Sequence, residues 1–218
     1  MSHAAQIPED QKYYCLYSGG KDSTAAASVL AKSGRLLACV TLKRGIAAPD
    51  WHPFIENSCA DQRWPLEIYE TPADYDALVR KYGFPGPGLH GLFMNYLKGR
   101  AIRKFKKAHP TAILASGVRT DESARRFRHT KEWSLFEGVR VWAPIWKWTT
   151  EQTWAYFNEK GFVRSPAYAI LCISGDCLCG AFAGPLERGM IATAYPVLDS
   201  RIKKLEADRQ AAAEASFS

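Results

Sequence analysis

Short apolar runs alternate with longer polar stretches along most of this chain. The runs Tyr13 to Tyr17, Leu36 to Leu42, Leu66 to Tyr69, Ala112 to Ala115 and Val139 to Ala143 are bounded by glycine, proline or charge. Runs of this length, rich in aliphatic and aromatic side chains, predict strands. The stretches between them predict helices over Thr24 to Lys32, Tyr75 to Tyr82 and Asn95 to His109. A further helix opens on a capping box, Thr149 with Gln152, and stops at Gly161. Its Trp154, Phe157 and Tyr156 suit packing on a sheet. The segment through Pro49 and Pro53 reads as a loop, and Gly83-Phe84-Pro85-Gly86-Pro87-Gly88 breaks the chain. Strands alternating with helices predict an α/β fold, a mainly parallel sheet with helices on both faces. One domain is expected over residues 1–200, with a short cysteine-containing elaboration at 165–184 and a solvated helix or tail over 201–218.

The most specific stretch lies between the first strand and the first helix: Ser18-Gly19-Gly20-Lys21-Asp22-Ser23. Two glycines let the backbone turn tightly and aim successive N–H groups into one concavity. The helix that follows adds its unpaired amides and the positive end of its dipole. Lys21 supplies a point charge, and Ser18 and Ser23 supply hydroxyls. An ordinary capped turn uses the same serines and glycines but has no need of the lysine. The stretch reads as a pyrophosphate cradle, and it lacks the Walker A spacing. It resembles the loop of the PP-loop ATP pyrophosphatases, which cleave ATP between its α- and β-phosphates.

A second constellation follows the fourth strand: Gly117-Val118-Arg119-Thr120-Asp121-Glu122-Ser123-Ala124-Arg125-Arg126. A guanidinium fork suits phosphate or sulfate oxygens, and a nearby carboxylate can orient it or hold a metal. A solvated helix start laced by ion pairs would look the same taken alone. With the glycine loop, however, the pattern G-x-R-x-x-E-S-x-x-R is similar to that of the PAPS reductase branch of the PP-loop family. Pro144-Ile145-Trp146-Lys147-Trp148-Thr149 and Ser165-Pro166 with Tyr168 continue the resemblance, which runs from about Tyr13 to Gly180. It implies an adenine-nucleotide α-hydrolase-like fold. It also implies Ser18 to Ser23 as the phosphate loop, Arg119 and Arg126 as anion contacts, and Lys98 as a nucleotide contact. In the family that lysine follows a His-Arg-x-Cys element. Here His90 to Lys98 occupies the stretch, with Gly91 at the arginine position and Phe93 at the cysteine position.

Composition narrows the setting. A net charge of +7, from 29 basic and 22 acidic residues, favours anionic ligands without separating nucleotides from nucleic acids. The basic helix from Asn95 reads as a solvated face or a nucleic-acid surface. No apolar run reaches membrane-span length and the N-terminal segment lacks a signal-peptide core, so a cytoplasmic enzyme is expected. In that setting the six cysteines point to thiols or metal ligands, not to a disulfide framework. Cys172, Cys177 and Cys179 stand close together and could converge on an iron–sulfur cluster or zinc, with Cys59 as the fourth candidate ligand. Buried, idle thiols are the alternative.

A sulfonucleotide reductase carries a Glu-Cys-Gly-(Leu/Ile)-His nucleophile near its C-terminus, whereas this sequence ends LEADRQAAAEASFS. The unmodified SGGKDS loop favours ATP as substrate. The expected activity is therefore ATP-dependent adenylylation of an acceptor with release of pyrophosphate, preparing that acceptor for sulfur. Lys21, loop amides and Mg2+ would stabilise the leaving charge, with Asp22 or Glu122 near the metal and Arg119 near the anion. The resemblance extends to the sulfur-activating proteins of DNA phosphorothioation, with a sulfur donor such as a cysteine desulfurase and a nucleic-acid acceptor as expected partners. The alternatives are a sulfonucleotide-reducing enzyme and a non-catalytic nucleotide- or nucleic-acid-binding protein.

Overall fold

A computed structural model describes residues 11–122, 131–181 and 184–215. The first half runs β1 (Tyr13–Leu16), α1 (Lys21–Lys32), β2 (Leu36–Lys43), α2 (Trp51–Asp61), β3 (Leu66–Glu70), α3 (Tyr75–Tyr82) and α4 (His90–Met94). A π-helical turn, Asn95–Gly99, leads into α5 (Arg100–Ala108) and β4 (Ile113–Ala115). The second half adds β5 (Trp133–Phe136), β6 (Val139–Trp142), α6 (Thr150–Glu159), α7 (Pro166–Leu171), α8 (Pro185–Ala194) and α9 (Pro196–Ala215).

The strands form a six-stranded sheet in the order β3-β2-β1-β4-β6-β5. All neighbours are parallel except β5, which pairs antiparallel to β6 at the edge. The order reverses at β1, which sits between β2 and β4, so a crevice opens at the carboxyl ends of β1 and β4. Side chains alternate across the sheet with period two. Cys15, Cys39 and Ala115 face a core that includes Leu30, Ile55 and Trp142. Val40, Leu42, Leu114 and Val141 face the other way, onto Ile102 and Phe105 of α5. Both faces are thus covered, as the near-continuous apolar strands require.

Three segments differ from the sequence expectation. The loop expected through Pro53 contains α2, because Pro53 falls in the helix's first turn, where a missing N–H costs no intrahelical bond. The strand β5 was not expected from its composition, since Trp133 and Leu135 are exposed on the sheet edge. It is set by a two-residue hairpin, Glu137-Gly138, both with positive φ (51° and 73°), which matches the twist of the flanking strands. The third difference is the C-terminus. The helix expected to be solvated starts at Pro196 and turns Leu198, Ile202 and Leu205 inward at helical spacing. Arg201 binds Asp76 (Nη2 to Oδ1 2.7 Å), and Arg209 donates to the Val79 carbonyl (3.1 Å), so α9 is clamped onto α3. The boundary expected at residue 200 falls inside this helix. Among the described residues, no helix is long and apolar enough to cross a membrane.

Leu205 is 1% exposed, so Leu205→Ala removes a packed side chain from the core, not from a tail. The expected loss is about 2–5 kcal/mol of unfolding free energy, read from the urea midpoint at constant slope. An unchanged midpoint would place α9 outside the cooperative fold.

Candidate nucleotide and thiol site

The loop after β1 takes its shape from contacts a larger residue would forbid. Gly19 has φ +76°, and a Cβ there would lie 2.8 Å from Phe54 Cε1 and 2.9 Å from Ile55 Cδ1. Gly20 is the extended N-cap of α1. Its carbonyl accepts the first helical bond, from the Thr24 N–H (3.0 Å), and a second from Ser23 Oγ (2.9 Å). The amides of Lys21, Asp22 and Ser23 precede that first bond, which leaves the helix N-terminus ready for an anion. Ser23 Oγ also accepts from the Ser18 N–H (3.3 Å) and lies 3.2 Å from Ser18 Oγ. Trp51, from α2, donates its indole N–H to the Ser18 carbonyl (2.9 Å).

Behind the loop sits a charge cluster. Asp22 Oδ2 is 2.7 Å from Lys21 Nζ, and Asp22 Oδ1 accepts from Arg119 Nε (2.6 Å). Arg119 is 1% exposed, and its remaining N–H groups reach the Trp148 carbonyl and Thr150 Oγ1, each at 3.3 Å. Asp121 Oδ2 lies 3.7 Å from Arg119 and accepts from the Thr150 amide (2.8 Å), a bond that holds its carboxyl below the usual range. Gly117 permits this arrangement: a Cβ there would lie 2.5 Å from the Asp22 carbonyl carbon and 2.6 Å from the Ser23 nitrogen. Arg119 therefore stands behind Asp22 and orients it. It does not line the cavity that opens over the loop. Glu122 closes the short turn Thr120–Glu122, and Arg126 lies outside the described residues.

A cavity of about 670 Å³ opens over the loop, lined on one side by Ser18, Gly20, Lys21, Asp22 and Ser23. The same cavity is lined by Arg44, His90 and Lys98 and by Cys172, Cys177 and Cys179. Lys98 reaches it from the π-helical turn, its Nζ 5.4 Å from the centre of the Phe136 ring. Phe93, at the family's cysteine position, is buried against Tyr75. Arg44 was not foreseen. It lies one residue past β2, at the carboxyl edge where ligands bind, and forms an ion pair with Asp176.

The cysteines divide into two groups. Cys59 is buried in α2 and meets Cys39, whose thiol is pushed up by donating to it and by burial; Cys15 belongs to the same core. It does not join the C-terminal cysteines as a fourth ligand. Cys177 and Cys179 hydrogen-bond to each other, which raises the first thiol and lowers the second. Contact with Cys177, then the Ala181 amide and the Arg44 guanidinium, outweigh burial and hold Cys179 down to about 6. Cys172 is exposed at the left-handed C-cap of α7. Among the described residues, no three His, Cys, Asp or Glu side chains come together as a metal-ligand set. The donors as arranged do not fit an iron–sulfur cluster or a zinc site, either of which needs more converging ligands than a pair.

A glycine-rich loop feeding a helix at the switch point of a mainly parallel sheet is the arrangement of an adenine-nucleotide α-hydrolase-like fold. Residues 12–172 match the phosphoadenosine phosphosulfate reductase domain, and the chain belongs to that family. Its fold is similar to phosphoadenylyl-sulfate reductase from Candida auris in a phosphate complex, at TM-score 0.53 and 16% identity over 74% of this chain and 77% of that one. It is also similar to the U34-tRNA thiolase NcsA from Methanococcus maripaludis with its [4Fe-4S] cluster, at TM-score 0.55 and 13% identity over 92% and 72%. No curated protein matches the chain.

Two outcomes are expected from this geometry. Arg119→Lys cannot span Asp22 and Thr150 at once, so it leaves part of a buried charge network unpaired. It should cost about 3–5 kcal/mol of stability, measured by denaturant unfolding, and a neutral result would remove Arg119 from the scaffold. For the thiols, iodoacetamide at pH 7 should modify Cys179 ahead of Cys15, Cys39 and Cys59, by peptide mapping. Its rate should rise through about pH 6, where the thiolate forms, and flatten above. A rate still climbing at pH 9 would contradict the lowered thiol.

Proposed function

We propose that this protein cleaves ATP between its α- and β-phosphates, passes the adenylyl group to an oxygen of an acceptor, and directs sulfur to the carbon so activated. The observation that carries this reading is that the phosphate loop and three thiols line one cavity. The loop amides, the α1 dipole and Lys21 supply positive potential where the leaving pyrophosphate gathers charge. Both oxygens of Asp22 are engaged by cations, so Mg2+ would enter on the nucleotide's phosphates as part of the substrate. A sulfur donor such as a cysteine desulfurase and a nucleic-acid acceptor are the partners this reading calls for.

The sulfonucleotide-reducing alternative rests on the family match and on the same thiols. Pyrophosphate release from ATP separates the two, since a sulfonucleotide reductase does not produce it. Lys21→Ala should leave the fold intact and slow pyrophosphate release by about 10²–10³, the usual effect of removing one donor to developing charge. Undiminished release from that variant would sink the role of the loop. A wild-type protein that consumes a sulfonucleotide and leaves ATP untouched would favour the reductase.

A further inference from the structure

The antiparallel edge of the sheet carries a row of aromatic rings that opens to solvent. Trp133 stands opposite Trp142, Trp142 opposite Ala115, and Ala115 opposite Cys15, so Trp133 is level with the end of β1 that leads into the glycine loop. Tyr13 lies 5.0 Å from Trp142, and Trp142 lies 5.9 Å from Trp133 at an interplanar angle of 24°. Tyr13 and Trp142 are buried, whereas Trp133, the outer ring of the stack, is 40% exposed. Leu135 stands opposite Arg140 on the same face and is 70% exposed. Lys131, Trp133, Ser134, Leu135 and Arg140 line one shallow recess of about 460 Å³. Among the described residues Lys131 and Arg140 make no ion pair, in contrast to Arg103, Arg188 and Arg201, each held by a carboxylate. Glu132 turns its carboxylate to the Trp142 indole N–H (3.3 Å) and does not line the recess.

We propose that this recess binds single-stranded nucleic acid, with one base stacked on Trp133 and the flanking phosphates held by Lys131 and Arg140. An unstacked base extends the row of rings by one more flat face, and every base has such a face, so the contact tolerates any sequence. A duplex keeps its bases stacked on one another and offers Trp133 none. Charge selects the occupant of this edge. A second copy pairing through β5 would bring Lys131 and Arg140 of both chains together, which like-charge repulsion opposes, whereas a polyanion is attracted by the same groups. The basic helix α5 is a separate surface, because its Ile102 and Phe105 pack on the opposite face of the sheet. Three strand spacings of about 4.8 Å place Trp133 about 14 Å from β1, beside the cavity over the glycine loop. Such binding would give the nucleic-acid partner of the proposed activity a place on the chain. It needs neither ATP nor sulfur and so stands independently of that activity.

The full-length protein, without nucleotide, would be titrated into fluorescein-labelled single strands of about 12 nucleotides and mixed sequence, one DNA and one RNA. Anisotropy would be followed at several KCl concentrations. At least one strand should bind, and unlabelled duplex of the same sequence should compete about tenfold less well. Trp133→Ala should weaken binding about tenfold, and Trp133→Phe, which keeps a ring, should stay within about threefold of the wild type. Lys131→Gln and Arg140→Gln should each weaken binding at low salt and make the slope of log Kd against log [KCl] shallower by about 0.7. Changing Lys104 and Lys107 of α5 together to Gln should weaken binding by less than about threefold. Absence of binding at about 50 mM KCl, equal competition by duplex, or loss in the α5 variant but not in Trp133→Ala would overturn the proposal. So would a dimer in sedimentation that Trp133→Ala dissociates, which would mark the recess as a contact between copies. Because Trp133 packs on Trp142, Trp133→Phe and the exposed Arg140→Gln decide the matter if Trp133→Ala fails to fold. With no ATP in the assay, its failure leaves pyrophosphate release untouched, and loss of pyrophosphate release leaves strand binding untouched.

Discussion

The buried ion pair between Arg119 and Asp22 is the constraint on which the rest of the site depends. An isolated guanidinium at 1% exposure would be prohibitive, and here every part of it is engaged: by the Asp22 carboxylate at 2.6 Å, the Thr150 hydroxyl and the Trp148 carbonyl. Arg119 and those partners come from three separate segments, the turn after β4, the first turn of α1 and the start of α6. Removing any one leaves a desolvated charge with a missing partner, so the segments are held as a unit. Gly117 completes the contact, because a Cβ there would lie 2.5 Å from the Asp22 carbonyl carbon, so only a residue without a side chain fits.

A second set of bonds brings in the thiols. The stretch between β2 and α2 supplies Ile46 and Ala48 to the cysteine loop, Arg44 to Asp176, and Trp51 to the Ser18 carbonyl. The glycine loop and the cysteine loop approach each other at Gly20, where a Cβ would lie 3.3 Å from the Ser174 Cβ. Each is also referred to the stretch between β2 and α2, and Trp51, buried at its end, transmits position from one to the other. The two chemical groups of the cavity are thereby held in register although they lie far apart in sequence.

The sequence made the sheet legible wherever a strand is buried on both faces, because continuous apolarity leaves no other reading for β1, β2 and β4. The glycine loop was legible for a different reason: tight turn, lysine and helix start occur together for few purposes. What escaped were features whose cause is tertiary. Pro53 looked like a breaker until its place in the first turn of α2 was visible. The edge strand β5 carries exposed Trp133 and Leu135 and is defined by its turn, not its periodicity. The tail's apolar stripe of Leu198, Ile202 and Leu205 was present in the sequence, and charged neighbours such as Lys203, Lys204 and Glu206 masked it. Arg119 was found as a residue but not as a support, since its partner Asp22 could not be paired with it by sequence. Cys59 looked available because its neighbours are polar, yet helical geometry turns it into the core.

The net charge of +7 does not explain why an anion would settle in this cavity. Arg44 is matched by Asp176, and Arg119 and Lys21 share Asp22. The positive potential that remains comes from fixed dipoles, the first amides of α1 and the turn at Gly19 and Gly20, which need no rearrangement to act. Lys21 is the adjustable part. Its ammonium can leave Asp22 Oδ2 for a phosphate oxygen, and the carboxylate then still keeps Arg119 on its other oxygen. Asp22 therefore keeps an ion-pair partner through the proposed exchange, and the lysine would pass between two anions without leaving a bare charge in the protein. A loop in which Lys21 alone neutralised Asp22 would have to break its only ion pair on binding. In the proposed exchange the buried arginine would remove that cost before an anion binds.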